Sequence, residues 1–147
     1  MDLTRAKKIL EGGIQFVERS GLKVVELRRG YVQCLMPFAG NGNHIGTMYA
    51  GALFTLAEIP GGALFLSSFD ATRFYPIVKE LDIKFLKSVK SDATIAVALT
   101  EERINALQSE ASEKGKVEFV LDGEIKIADG TVVATSHGIY QLRTVGR

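Results

Sequence analysis

Along the first twenty residues, Leu3, Ala6, Leu10, Gly13 and Val17 recur at helical spacing, which predicts a helix over residues 2–19. Asp2 or Thr4 is placed to cap its start, and Gly21 sits where a helix stops. Gly12 and Gly13 weaken it by about 1 kcal/mol each relative to alanine, so packing has to hold it. The period then shortens. Residues 22–28 and 31–37 read as two strands joined by Arg29-Gly30, and in the second Val32, Cys34 and Met36 alternate with Gln33 and Leu35. A polar, glycine-rich loop over residues 40–46 precedes a long apolar helix of about residues 47–69, with Thr47 or Asn43 as the expected cap.

Beyond that helix the alternation returns. Leu81, Ile83 and Phe85 lie on one face of a strand over residues 77–86, and Asp82 and Lys84 on the other. Residues 93–100 form another strand, and residues 101–113 a short, mostly polar helical insertion with Ile104, Leu107 and Ala111 inward. Asp129-Gly130 is a two-residue hairpin signal between strands over residues 117–128 and 131–142, and Gly123 is a candidate bulge.

Strands that arrive in runs favour an antiparallel α+β fold over a parallel, doubly wound sheet. A sheet with one apolar face needs a cover, and a helix apolar on every side needs to be covered all round. Both needs are met if a curved sheet wraps the central helix, with a partner subunit closing what remains open. One domain spanning residues 1–147 is expected. The central helix is long enough for a bilayer, but Glu58 at its middle and Pro60-Gly61-Gly62 argue against a membrane span.

Composition narrows the picture. Eighteen Lys and Arg against seventeen Asp and Glu leave a formal charge of +1, with no electrostatic footprint for nucleic acid. The single cysteine, Cys34, forms no internal disulfide, and no Cys/His spacing suits zinc, so no metal is expected. Charges stand where a signal peptide needs its apolar stretch, and the expected compartment is the cytoplasm.

The most informative residue is Glu58, the one charge in the apolar helix. A carboxylate there must be paired, hydrogen-bonded or neutralised by a raised pKa, which makes it a candidate for chemistry or for a purely structural contact. Asn43, Gly46, Thr47 and Gly51 lie at the helix start, whose free amides favour developing negative charge. Such donors suit the oxyanion formed when a carbonyl is attacked. Ala50 and Glu58 are about 12 Å apart along the axis, so one chain does not readily place both on one carbonyl. Two antiparallel helices in a two-fold dimer can.

The run Asn43-His44-Ile45-Gly46-Thr47-Met48-Tyr49-Ala50-Gly51, continuing through Phe54, Leu56 and Ala57 to Glu58, resembles the signature of hotdog-fold acyl-CoA thioesterases. The likeness is to the phenylacetate-pathway and 4-hydroxybenzoyl-CoA thioesterase types. Residues 81–86 resemble that family's strand after the helix. The resemblance implies a hotdog fold and hydrolysis of a thioester at a subunit interface. In it Glu58 would be base or nucleophile, the Ala50 amide would polarise the carbonyl, and Asn43 would position substrate or water. His44, Gly46, Thr47, Tyr49 and Gly51 would line the substrate. It implies no cofactor, coenzyme A being part of the substrate, and a dimer or dimer of dimers acting on acyl-CoA or acyl carrier protein.

Two positions depart from the pattern: Tyr49-Ala50-Gly51 replaces His-Gly-Gly, and Gly62 stands where some relatives carry a hydroxyl. His44 lies fourteen positions before Glu58, the spacing of the His/Glu pair in hotdog hydroxyacyl thioester dehydratases, which is the rival activity. A non-catalytic acyl-CoA-binding protein is the third reading, suggested by Tyr49.

Overall fold

A computed structural model describes residues 2–146. The chain order is α1 (Leu3–Gly12), α2 (Gln15–Ser20), β1 (Lys23–Arg28), β2 (Tyr31–Met36), α3 (Ala50–Ser68), β3 (Phe74–Phe85), β4 (Ala93–Ala98), α4 (Glu101–Lys114), β5 (Lys116–Lys126) and β6 (Val132–Thr144). The strands form one antiparallel sheet in the order β1-β2-β4-β5-β6-β3. Six strands laid flat would span roughly 24 Å, more than twice the width of a helix with its side chains. All six nevertheless touch α3. The sheet therefore curls around the helix, which is the hotdog architecture expected from the sequence.

Alternation decides which side chains reach the helix. Val32, Cys34 and Met36 of β2, Ile95 and Val97 of β4, Phe119, Leu121 and Ile125 of β5, and Leu142 of β6 all enter the core. On α3, Leu56, Ala63 and Leu64 are wholly buried. The helix is long and apolar enough to cross a membrane, yet 61% of its apolar window is buried within the protein. Pro60 lies inside it, and the helix runs on through that residue.

A tyrosine holds helix and sheet together. The Tyr140 ring of β6 is stacked on Phe119 at 5.6 Å between centroids and lies against two glycines. A Cβ on Gly61 would come within 2.3 Å of the ring, and one on Gly138 within 2.5 Å. Only glycine lets α3 approach β6 this closely at that point.

Several local expectations need correction. The N-terminal segment is two helices: α1 ends at Gly13, where a Cβ would lie 2.6 Å from the Ile9 carbonyl oxygen, and α2 follows as a separate turn. Asp2 does cap α1, accepting from the Thr4 amide at 2.9 Å, and Gly21 ends α2 in the left-handed region at φ 76°. Neither Thr47 nor Asn43 caps α3; Tyr49 is its N-cap, without a side-chain bond. Gly123 is no bulge either: the register of β5 and β6 shifts at Ile125/Lys126. A Cβ on Gly123 would instead meet Ile95 Cδ1 at 2.7 Å, so that glycine makes room for core packing.

Gly61→Ala should destabilise the fold by about 2 kcal/mol, since the added methyl has to displace a ring that cannot move. Denaturant unfolding checks this; an unchanged midpoint would mean that α3 and Tyr140 can slide apart.

Candidate functional site

The loop before α3 is built by Asn43. Its side-chain oxygen accepts from the amides of Ile45 and Thr47, both at 3.0 Å, and its nitrogen donates to Thr47 Oγ1 at 2.8 Å. Its own amide donates to the Thr47 carbonyl at 2.7 Å. The loop is also pinned from outside, by Met48 N–H to the Val89 carbonyl (2.7 Å) and Tyr49 N–H to that of Asn41 (2.8 Å). The Asn41 amide nitrogen in turn donates to the carbonyls of Ser20 and Pro37, tying the loop to the end of α2. The Tyr49 carbonyl accepts from Ala52 and Leu53, which begins the helix. The amides of Ala50 and Gly51 donate to no acceptor among the described residues, as expected of an uncapped helix start.

Glu58 lies two helical turns further on, half-buried, with no hydrogen bond or ion pair among the described residues. It is the single charged residue in a cleft of about 440 Å³ lined otherwise by Ile14, Phe16, Val17, Tyr49, Gly51, Phe54 and Thr55. Burial holds its carboxyl group above the usual range. Nearby, burial and then the Glu58 charge push the Tyr140 phenol up to about 12, so Tyr140 stays protonated. A desolvated carboxyl in a concave apolar site can accept a proton near neutrality, as a general base needs.

The predicted site residues fall into two groups. Asn43, Thr47 and Ala50 line a cleft of about 330 Å³ with Leu53 and residues 85–89. Tyr49, Gly51 and Glu58 line the other. His44 and Gly46 are exposed in the turn and lie outside both linings. Within one chain Ala50 thus faces one cleft while its neighbours Tyr49 and Gly51 face the other with Glu58, so the two groups lie on different sides of the helix start. The walls from α2 were not visible in the sequence; Val17 carried a helical period, but Ile14 and Phe16 showed no pattern that marks a site.

Other chemistry-bearing residues stand apart. Cys34 is buried, and burial pushes its thiol up to about 12, so it is no nucleophile. His137 on β6 meets Asp122 at 2.6 Å in a polar groove of about 840 Å³ on the outer face of the sheet. Among the described residues no His, Cys, Asp and Glu side chains group closely enough to hold a metal ion.

A family described as a domain of unknown function (DUF4442) matches residues 13–140. The chain belongs to this family, and its fold is that of the hotdog thioesterase superfamily. A Pseudomonas aeruginosa protein of unknown function, described as a probable thioesterase, is 52% identical over 98% of this chain and 97% of its own, with a TM-score of 0.95. A Haemophilus influenzae thioesterase shares 12% identity over 100% of this chain and 94% of its own, with a TM-score of 0.77, which is a likeness of fold. No curated protein matches the chain.

The buried carboxyl has a consequence for stability. Because the Glu58 pKa is raised on folding, the folded chain keeps a proton that the unfolded chain loses near its ordinary value of 4.5. Stability is then full below that value and declines as pH rises through the folded pKa. Glu58→Gln should therefore melt at a higher temperature than the natural protein at neutral pH, the two converging in acid. Parallel melting curves across the whole pH range would mean that Glu58 ionises without cost.

Proposed function

We propose that the protein hydrolyses acyl thioesters, acyl-CoA first among them, in a homo-oligomer whose site joins Glu58 of one chain to the α3 start of another. The observation that carries this reading is the lone, desolvated carboxyl group in an apolar cleft. Likeness to a 52% identical Pseudomonas aeruginosa protein described as a probable thioesterase supports it. His44 is exposed and lines neither cleft, so nothing favours a His44/Glu58 dehydratase.

In the reaction, ionised Glu58 takes a proton from water as the water oxygen attacks the thioester carbonyl. The charge that develops on the carbonyl oxygen is met by the Ala50 amide of the partner chain, a donor already in place at a helix start. As the tetrahedral intermediate collapses the carbon–sulfur bond breaks, and Glu58 returns its proton to the departing sulfur, releasing the carboxylic acid and the thiol of coenzyme A and regenerating the carboxylate. Glu58 as nucleophile would give the same products through a mixed anhydride; turnover in heavy-oxygen water separates the two, since only that route labels Glu58. A thioester on acyl carrier protein presents the same bond. Water is the only co-reactant, and coenzyme A enters as part of the substrate.

Two features support a dimer. β3 is a sheet-edge strand of twelve residues with one hydrogen-bonding side unpaired, the kind of edge that pairs with another chain. Phe85 and Leu86 at its end are exposed and line the Ala50 cleft. A second copy added along β3 therefore arrives beside the helix start, and a two-fold axis gives both chains the same arrangement.

Glu58→Ala should lower kcat/KM for acyl-CoA by about a hundredfold or more. The acid limb of the wild-type rate should fall above pH 4.5, because burial raises the carboxyl. An active Glu58→Ala protein would remove the mechanism. Ala50→Pro deletes the proposed donor alone: proline is tolerated at the first helical position, and Tyr49 before it already has φ −59° and ψ 138°. It should cost about a hundredfold in kcat. Mixing the two inactive variants should restore activity, since each heterodimer regains one site with both groups intact. Mixtures that form heterodimers yet stay inactive would place both groups in the same chain's site.

A further inference from the structure

We infer that the Tyr140 hydroxyl is a working part of the Glu58 site, holding from the β6 side the water that Glu58 deprotonates. This deepens the hydrolase reading and rests on it, since it gives the attacking water a second partner.

Tyr140 is only 4% exposed, yet its phenol oxygen makes no hydrogen bond among the described residues. A buried tyrosine ordinarily finds its hydroxyl a partner. Among the same residues no side-chain nitrogen or oxygen is both sealed from solvent and unpartnered. The phenol oxygen therefore lies at an opening. The ring leaves it little choice of direction, being stacked on Phe119 and wedged against Gly61 and Gly138. Its hydroxyl oxygen stands 2.9 Å from the place a Cβ on Gly61 would take. The hydroxyl thus emerges on α3, at Gly61.

Gly61 follows Glu58 at a spacing that makes the two neighbours on the helix surface, with Cβ positions about 5–6 Å apart. Gly62, one turn beyond Glu58, has open space where a side chain would be. The two glycines keep this patch of α3 bare, with a phenol on one side and a carboxyl group on the other. Neither group bonds the other, although the Glu58 charge is felt at Tyr140. A bridging water needs two or more polar partners, and here each group has unused capacity. Tyr140 O–H donates to the water oxygen, the water gives one hydrogen to Glu58, and its remaining lone pair attacks the thioester carbonyl. The phenol, pushed up to about 12, keeps its own proton throughout. The path of the transferred proton, from water to Glu58 to the departing sulfur, is unchanged. In the proposed dimer the partner's helix start would close this patch from outside, so the hydroxyl would stand within the shared site.

Tyr140→Phe tests this, because it removes one oxygen and keeps every ring contact. With acyl-CoA as substrate, kcat and kcat/KM should both fall about tenfold. KM should hardly change, since the lost interaction is with the water and not with the acyl group. The acid limb of the rate should move to higher pH, because the carboxylate loses a hydrogen-bonded chain that favours its charged form. The melting temperature should hold, as no group of the protein is left unpaired. Full kcat with an unmoved acid limb overturns the assignment. A loss of kcat that comes with a lower melting temperature and an unmoved acid limb means a structural bond, and overturns it too. Dissociation on dilution, with full activity in the dimers that remain, means that the hydroxyl bonds the partner chain, which is a third way for it to fail. If Glu58→Ala abolishes turnover and Tyr140→Phe does not alter it, the hydrolase reading survives without Tyr140. If the natural protein hydrolyses no thioester, that reading falls and takes the water's second partner with it.

Discussion

Enclosing α3 is the constraint on which the rest of the molecule depends. A nineteen-residue helix with almost no polar face cannot lie on a sheet; the sheet has to bend around it, and every strand contributes inward side chains. The curl is nevertheless incomplete. Gly51, Phe54, Glu58, Gly62 and Leu66 follow one another at helical spacing, and each stays partly open. This stripe is where the sheet does not reach, and it carries the carboxyl group and the amide end of the helix. The architecture that buries the core thus leaves one line of the central helix available for chemistry.

The two halves of the chemistry make opposite demands. The oxyanion donors have to be at a helix start, because interior amides are already bonded. The carboxyl has to be away from open water, because solvation would hold its pKa at the ordinary value. On one straight helix these conditions are met about 12 Å apart, too far for one carbonyl. The proposed two-fold pairing along β3 would reconcile them without any new element, since each chain would offer the end that the other lacks. Isolation of Glu58 costs folding stability, and such a cost is characteristic of functional groups held in place by the surrounding fold.

Much of this was legible in the chain. Alternation at Val32, Cys34 and Met36 and the apolar run of α3 each have a single physical meaning, and the structure bears both out. Asp129-Gly130 does mark the hairpin, but the turn is wider than two residues: the Gly130 amide donates to the Ile127 carbonyl, the Ile127 amide to that of Thr131, and only Gly130 is left-handed, at φ 88°. The curled sheet followed from needing to cover a helix apolar on all sides. What escaped the sequence was decided by contacts between distant residues. The apolar period runs straight through Gly12 and Gly13, so nothing local separates α1 from α2; the break is set by where α2 packs. Gly123 looks like a strand irregularity, but its cause is Ile95 on a neighbouring strand. Phe16 reads as an ordinary exposed residue until α2 is seen beside Glu58.

The cap of α3 ties these points together. A serine, threonine or asparagine at that position would accept from the second or third amide of the helix and take those donors out of use. Tyr49 has no side-chain acceptor near them and caps through its carbonyl alone. Asn43, the residue most suited to the task, is bound up inside its own loop by Ile45 and Thr47. Its contribution is therefore rigidity: it fixes the loop that presents the helix start. The uncapped end that looks like a local defect leaves the Gly51 amide free beside that of Ala50, the first of the helix, and the same tyrosine turns its ring over Gly51 to form a wall of the Glu58 cleft. Tyr49 thereby acts on both sides of the helix start, keeping a donor open on one and narrowing the apolar cleft on the other.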